Sequence, residues 1–339
     1  MFARKLYAIT ALIAVLGCTI TPAVADTTTI RPPVGAWSAG DYPKDLKSQS
    51  YIAISGVRGQ RGLQREYKVH VPKGYNKNTP TPVVFCIHGL SQNPVLFCID
   101  GTNTSGNNFN GKGGLIDQAD ENGFILIMPN GYKWSWNAGS CCGSARRMGL
   151  DDVALFRAIL AEVGRHLNVD THRVYATGVS NGGFMSFRLA CEASDMIAAI
   201  VTASGEIVLN PQSSCQPENK VSVLSFHGTS DPIVPYSGFE SSMPYIATWN
   251  GCSSNTTSAS FPNSGGDTTC ATYTGCPAGV TVTGCSVENG GHCWYGSPSC
   301  GTGYGKLGSN LIGIIIGDNS DITVESDDVW PFMKNYTRN

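Results

Sequence analysis

The chain has 339 residues, 41% of them hydrophobic, and a formal net charge of −2 from 23 basic and 25 acidic side chains. That much apolar material supplies a core and excludes wholesale disorder. The near-balanced charge, with no strongly basic face, excludes a nucleic-acid footprint. Only 14% of residues are charged, against 40 Gly and 13 Cys, which fits a loop-rich extracellular protein better than a cytosolic one, where thiols stay reduced.

The first 25 residues read as a secretory signal peptide. Arg4 and Lys5 precede an apolar run over 6–20, and Ala23-Val24-Ala25 is a small-residue cleavage site. The run is too short for a membrane span. Cleavage before Asp26 removes Cys18 and leaves an even set of cysteines. A rival reading takes Val15-Leu16-Gly17-Cys18 as a lipoprotein signal. Against it stand the better downstream site and three sequons, at Asn103, Asn255 and Asn335, which also make the protein a candidate glycoprotein. Residues 26–50 show little periodicity and are expected to be irregular.

From residue 51 the pattern changes. Residues 66–71 alternate as a strand does, and 83–87 form a continuous apolar run of the kind buried on both faces. Similar runs occupy 124–128, 174–177, 198–202 and 221–226. Helices are expected at 114–122, 151–167, 183–192 and 327–336. The second is the clearest, with a broad apolar face and Asp151 or Asp152 as N-cap. Strands alternating with helices predict an α/β domain over 51–339, with a mostly parallel central sheet and helices on both faces. Residues 251–310 hold Cys252, Cys270, Cys276, Cys285, Cys293 and Cys300 among many Gly, Ser and Thr. They are expected to form a disulfide-rich C-terminal excursion from the sheet.

Gly178-Val179-Ser180-Asn181-Gly182 matches G-x-S-x-G between a buried strand and a helix, the context a nucleophile elbow requires. A serine hydroxyl needs a base, and in this arrangement the partners follow in the order Ser, acid, His. Of the six histidines only His292 lies beyond a suitable acid. Asp195, Asp231 and Asp267 lie between Ser180 and His292. Asp231 follows a buried strand at its C-terminal end, where open α/β sheets place their sites. The expected triad is therefore Ser180, Asp231 and His292. Backbone N–H groups of Asn181 and Leu90 are the expected oxyanion donors, the latter from the loop His88-Gly89-Leu90, in which His88 reads as structural.

Several motifs occur in one order: Ile87-His88-Gly89, Trp136-Asn137-Ala138-Gly139, Cys141-Cys142-Gly143, Asp151-Asp152-Val153, the Ser180 elbow, His227-Gly228 with Asp231, Asn250-Gly251-Cys252, and Gly290-Gly291-His292 with Trp294. Together they resemble the secreted feruloyl esterase and polyhydroxybutyrate depolymerase-like family, related to family 1 carbohydrate esterases. The resemblance covers about residues 50–296 and the final helix. It implies an α/β-hydrolase fold and a Ser-His-Asp esterase without cofactor or metal. Two departures stand out. Many relatives have Cys where this chain has Leu90, so Cys86 and Cys98 are a candidate pair instead. Many read Gly-His-x-Trp-Pro-Gly where this chain has Tyr295, followed by an extra apolar run at 311–316 that would border the site. Cys191–Cys215 and Cys293–Cys300 are further candidate closures, whereas Cys141 and Cys142 lack the neighbours of a zinc site. Trp134, Trp136 and Trp294 are candidate substrate-binding aromatics.

The resulting expectation is a secreted, monomeric esterase acting on feruloyl esters of plant cell-wall polysaccharide. Polyhydroxybutyrate depolymerase and acetylxylan esterase are alternatives on the same triad. A non-catalytic wall-binding hydrolase fold is the competing class, and an intact ordered triad argues against it.

Overall fold

The computed structural model describes residues 52–100, 114–209, 215–261, 267–295 and 326–338. The expected signal peptide at 1–25, the expected irregular segment at 26–50 and the apolar run at 311–316 lie outside them. The strands are β1 (Ile52–Ser55), β2 (Gln64–His70), β3 (Thr81–Ile87), β4 (Ile125–Asn130), β5 (Val169–Val179), β6 (Ala199–Ala203), β7 (Ser222–Gly228), β8 (Thr256–Ser260), β9 (Thr268–Tyr273) and β10 (Val282–Val287). The helices are α1 (Pro94–Asp100), α2 (Leu115–Asn122), α3 (Gly143–Arg147), α4 (Asp152–His166), α5 (Asn181–Glu192), α6 (Tyr236–Asn250) and α7 (Ser326–Met333). The strands form one 10-stranded sheet in the order β1-β2-β4-β3-β5-β6-β7-β10-β9-β8. Its centre, from β4 through β10, is parallel, and both margins are antiparallel.

The apolar runs became the central strands because both of their faces are covered. Every residue of β3, β6 and β7 is buried. Alternate side chains go to opposite sides. Val83, Phe85 and Ile87 pack with α4, α5 and α6, while Val84 and Cys86 pack with α1, α2 and α7. Phe85 meets Phe156 of α4 edge-on, with ring centroids 5.1 Å apart. Burial of each such side chain contributes about 1.5–3 kcal/mol. Helix α4 starts as its sequence predicts, with the Asp151 side chain accepting the Ala154 N–H.

The Cys-rich stretch corrects one expectation. It carries disulfides Cys252–Cys276 and Cys270–Cys285, and the strands in its described part belong to the sheet. β10 pairs parallel with β7, and β9 and β8 continue the sheet to its edge. Cys270 and Cys285 are register partners on adjacent strands, so the bond staples the sheet itself. Cys86–Cys98 and Cys191–Cys215 form as expected, and Cys141 pairs with Cys142. Cys293 is disulfide-bonded, while Cys300 lies outside the described residues. Helix α6 was not anticipated, since it contains Gly238 and Pro244. Among the described residues no helix is long and apolar enough to cross a membrane.

Candidate active site

Ser180 occupies the turn between β5 and α5 with φ 53° and ψ −123°. A non-glycine residue there is strained and persists only where its surroundings over-determine it. The two flanking glycines explain how. A Cβ on Gly178 would lie 2.6 Å from the Ile87 carbonyl oxygen, and one on Gly182 would overlap that same atom. The elbow is thus pressed against the end of β3, and the Ser180 N–H is held by Ala203 O at the end of β6 (3.0 Å).

Asp231 follows β7 and is buried. Its Oδ1 accepts the N–H groups of Ile233 and Val234, each at 2.9 Å. Its Oδ2 accepts His292 Nδ1–H at 2.8 Å. Burial by itself would raise the Asp231 carboxyl, but the His292 contact and the two amides outweigh it and hold the group below its ordinary value. With Nδ1 committed to the carboxylate, Nε2 of His292 is the nitrogen left to accept a proton.

The acid and histidine loops are laced together. Ser230 N–H donates to Gly290 O (3.0 Å), Thr229 N–H to Val287 O (2.9 Å) and Asn289 N–H to Thr229 Oγ1 (2.8 Å). The histidine loop also reaches the nucleophile turn. Ser204, next to the Ala203 that holds Ser180, donates its hydroxyl to Cys293 O and accepts the Cys293 N–H. The carboxyl ends of the parallel strands β5, β6, β7 and β10 therefore carry Ser180, Asp231 and His292 on one side of the sheet.

The loop after β3 supplies a second feature. Gly89 N–H donates to Gln92 Oε1 (2.6 Å) and Ser91 N–H to Trp134 O (2.8 Å). Between them, the Leu90 N–H has no acceptor among the described residues. The Asn181 N–H opens α5, where no preceding turn offers a carbonyl. His88 is fully buried. Its Nδ1–H donates to Gly89 O (2.7 Å), and its Nε2 accepts Gly131 N–H (3.0 Å). Burial pulls its pKa down to about 4. It is a neutral strut for this loop, as expected. Among the described residues no cluster of His, Cys, Asp and Glu could hold a metal.

A phospholipase/carboxylesterase family model matches residues 154–268. The protein named "Probable feruloyl esterase C" from Aspergillus terreus is 31% identical over 241 residues, covering 70% of this chain and 79% of that one. Feruloyl esterase D from Neurospora crassa is 31% identical over 227 residues, covering 65% and 71%. The chain belongs to the feruloyl esterase family of α/β-hydrolases. It is a carboxylic ester hydrolase. An acetyl xylan esterase from Aspergillus awamori shares the fold at 13% identity, with a TM-score of 0.54 over 72% of this chain and 94% of that one.

Two of the three tryptophans are buried in this esterase. Trp136 is fully buried, its Nε1–H donates to His88 O (2.9 Å) and its ring lies against Phe156. It is a core residue, because its indole N–H finds a partner only inside. Trp294 is also buried, edge-on to Phe97. Trp134 is 57% exposed.

Three contributions were not foreseen. The Asn181 side chain clamps the Trp136 backbone, accepting its N–H (2.8 Å) and donating to its C=O (3.1 Å). Ser204 bridges the two loops. Glu206 rests its carboxyl on Gly238 of α6, where any Cβ would overlap it, and its Oε2 has no partner among the described residues. Burial, with the Asp231 charge adding to it, raises its pKa. The Asn181 role had one available signal, its place directly after the elbow serine. The other two depend on long-range contacts.

Proposed function

We propose that the chain is a secreted serine esterase that hydrolyses feruloyl esters on plant cell-wall polysaccharide. The observation that carries this reading is Ser180 in a strained left-handed turn, at the same carboxyl end of the central strands as a buried Asp231–His292 pair. Ser180 is the nucleophile, His292 the base and Asp231 the acid. His292 Nε2 takes the hydroxyl proton as Ser180 Oγ attacks the ester carbonyl. Asp231 keeps Nδ1 protonated and stabilises the imidazolium that forms. The Leu90 and Asn181 N–H groups receive the oxyanion, which costs little reorganisation because both belong to rigid backbone. The imidazolium then protonates the leaving alcohol, and water activated by the same His releases the acid. The names of the fungal relatives support feruloyl esters as the substrate class.

The signal sequence at 1–25 and the disulfides support export to an oxidising compartment. Asn255 and Asn335 are exposed, as glycan acceptors must be. The test compares purified mature protein with Ser180→Ala on methyl ferulate, p-nitrophenyl acetate and a 3-hydroxybutyrate oligomer. Ser180-dependent ferulate release well above the other two rates is expected. Preferential oligomer cleavage would move the enzyme to the depolymerase branch, and equal rates for both proteins would overturn the catalytic assignment.

A further inference from the structure

Beside Leu90 the chain builds a surface to which the proposed triad chemistry gives no role beyond Leu90 itself. Residues 131–135 form a tight turn in which Trp134 N–H donates to Gly131 O (2.9 Å) and Ser135 N–H and Oγ–H both donate to Tyr132 O (3.2 and 2.8 Å). A Cβ on Gly131 would lie 2.7 Å from Ser135 O, so only glycine closes it. Lys133 and Trp134 are both left-handed, at φ 48° and 54°. Strain of about 1–3 kcal/mol at each of two adjacent non-glycine residues points to a role for what they present. What they present is an exposed indole, its own carbonyl pinned by Ser91 N–H at 2.8 Å.

Helix α3 rides on the same turn, with Ala145 N–H donating to Ser135 Oγ (3.0 Å). A Cβ on Gly143 would lie 3.0 Å from Leu90 Cδ1. Leu90 (37% exposed), Trp134 and Met148 (52%) are exposed on the loop, turn and helix end that these contacts join, starting at the expected oxyanion residue. Along the turn and helix themselves the charge is of one sign. Lys133, Arg146 and Arg147 are exposed, and residues 131–150 contain no Asp or Glu. Among the described residues none of the three cations is ion-paired. Arg147 donates to Ser144 Oγ, and Lys133 Nζ stands 5.8 Å from the Tyr132 ring centroid. An aromatic plate among unpaired cations, in a chain of net negative charge, suits a ligand with flat apolar faces and spaced carboxylates.

The geometry points to a subsite for uronate-bearing polysaccharide, with Trp134 stacking on a pyranose ring and Lys133, Arg146 and Arg147 receiving carboxylates. It rests on the esterase reading only for the neighbouring ester and adds the class of polymer that carries it. A nucleic acid would need a longer cationic track.

The test is migration of the full-length mature protein in native gels containing polygalacturonate, glucuronoxylan, neutral arabinoxylan or dextran sulfate, each normalised to a polymer-free gel. The two uronate polymers should retard it, neutral arabinoxylan should not, and salt should weaken the effect as it screens exposed charges. The Lys133→Gln/Arg146→Gln/Arg147→Gln variant should run free, and Trp134→Ala should lose about half the retardation or more. Both variants should keep the parent Tm, and the triple variant should keep kcat/KM on methyl ferulate within about twofold. Retardation by neutral arabinoxylan equal to that by the uronates would overturn the proposal. So would retention in the triple variant, or dextran sulfate binding as strongly as the uronates with Trp134→Ala unaffected. Because the gel reads binding alone, loss of ferulate activity in the parent would count against the esterase reading and not against this one.

Discussion

Asp231→Asn isolates the electrostatic and tautomeric role of one atom. The variant keeps the shape of the side chain, and the structure decides which way its amide faces. Oδ1 accepts two backbone N–H groups, from Ile233 and Val234. The amide oxygen must stay there, since an NH2 group would meet two donors. The NH2 then occupies the Oδ2 position, 2.8 Å from His292 Nδ1. A donor at that distance makes Nδ1 the acceptor and puts the ring proton on Nε2, the nitrogen proposed to take the serine proton. The negative charge that would stabilise an imidazolium is lost as well. A wrong tautomer of this kind costs about 10⁴-fold in kcat, or ~5.4 kcal/mol of barrier. Methyl ferulate hydrolysis under saturating and limiting substrate measures it. The loss should fall on kcat with little change in KM, and Tm should stay close to the parent's because both backbone bonds survive. A variant that folds normally and keeps more than a tenth of the parent kcat would refute the assignment of Asp231 and the proton placement derived from it.

Other substitutions test the frame of the site. Gly182→Ala places a Cβ onto the Ile87 carbonyl oxygen, so it should give little soluble protein or an inactive one with a much lower Tm, measured by thermal melting. Asp152→Ala removes the carboxylate that pairs with buried Arg65 at 2.8 Å and accepts Asn137 N–H at 2.7 Å. An unpaired buried guanidinium should cost about 3–5 kcal/mol in urea unfolding, whereas Arg157→Ala, which breaks an exposed pair with Asp195, should cost under about 1 kcal/mol. Stability should also fall in mild acid. His88 titrates at about 4 when folded and at 6.5 when free, so the unfolded chain binds more protons between those values. Its contribution is complete above pH 6.5 and is lost as pH falls towards 4, by ~3 kcal/mol in all. His88→Gln should flatten that part of the pH–stability curve, and an unchanged slope would count against a neutral buried imidazole.

The parts of this esterase that could be read from its sequence are those decided by local or periodic chemistry. Strands β3 and β6 announce themselves because burial on both faces leaves no polar alternation. The elbow is legible because a left-handed serine pressed on a neighbouring strand demands glycine on both sides within five residues. Chain order then leaves one histidine. Asp151 is readable as a cap because it acts within its own helix.

What only the tertiary structure decided depends on neighbours distant in sequence. Strands β8 to β10 are Thr- and Ser-rich, so little in them distinguishes a sheet edge from a loop until β10 docks on β7. Helix α6 is hidden by Gly238 and Pro244, and it forms because Phe239, Met243 and Ile246 find the core. Trp134 and Trp136 are two residues apart and chemically identical. One is buried against Phe156 and bonded to His88 O, and the other is held out on a strained turn. Composition and spacing assign the residue type, but burial is a property of the partner surface, and the partner of each tryptophan exists only once the chain has folded.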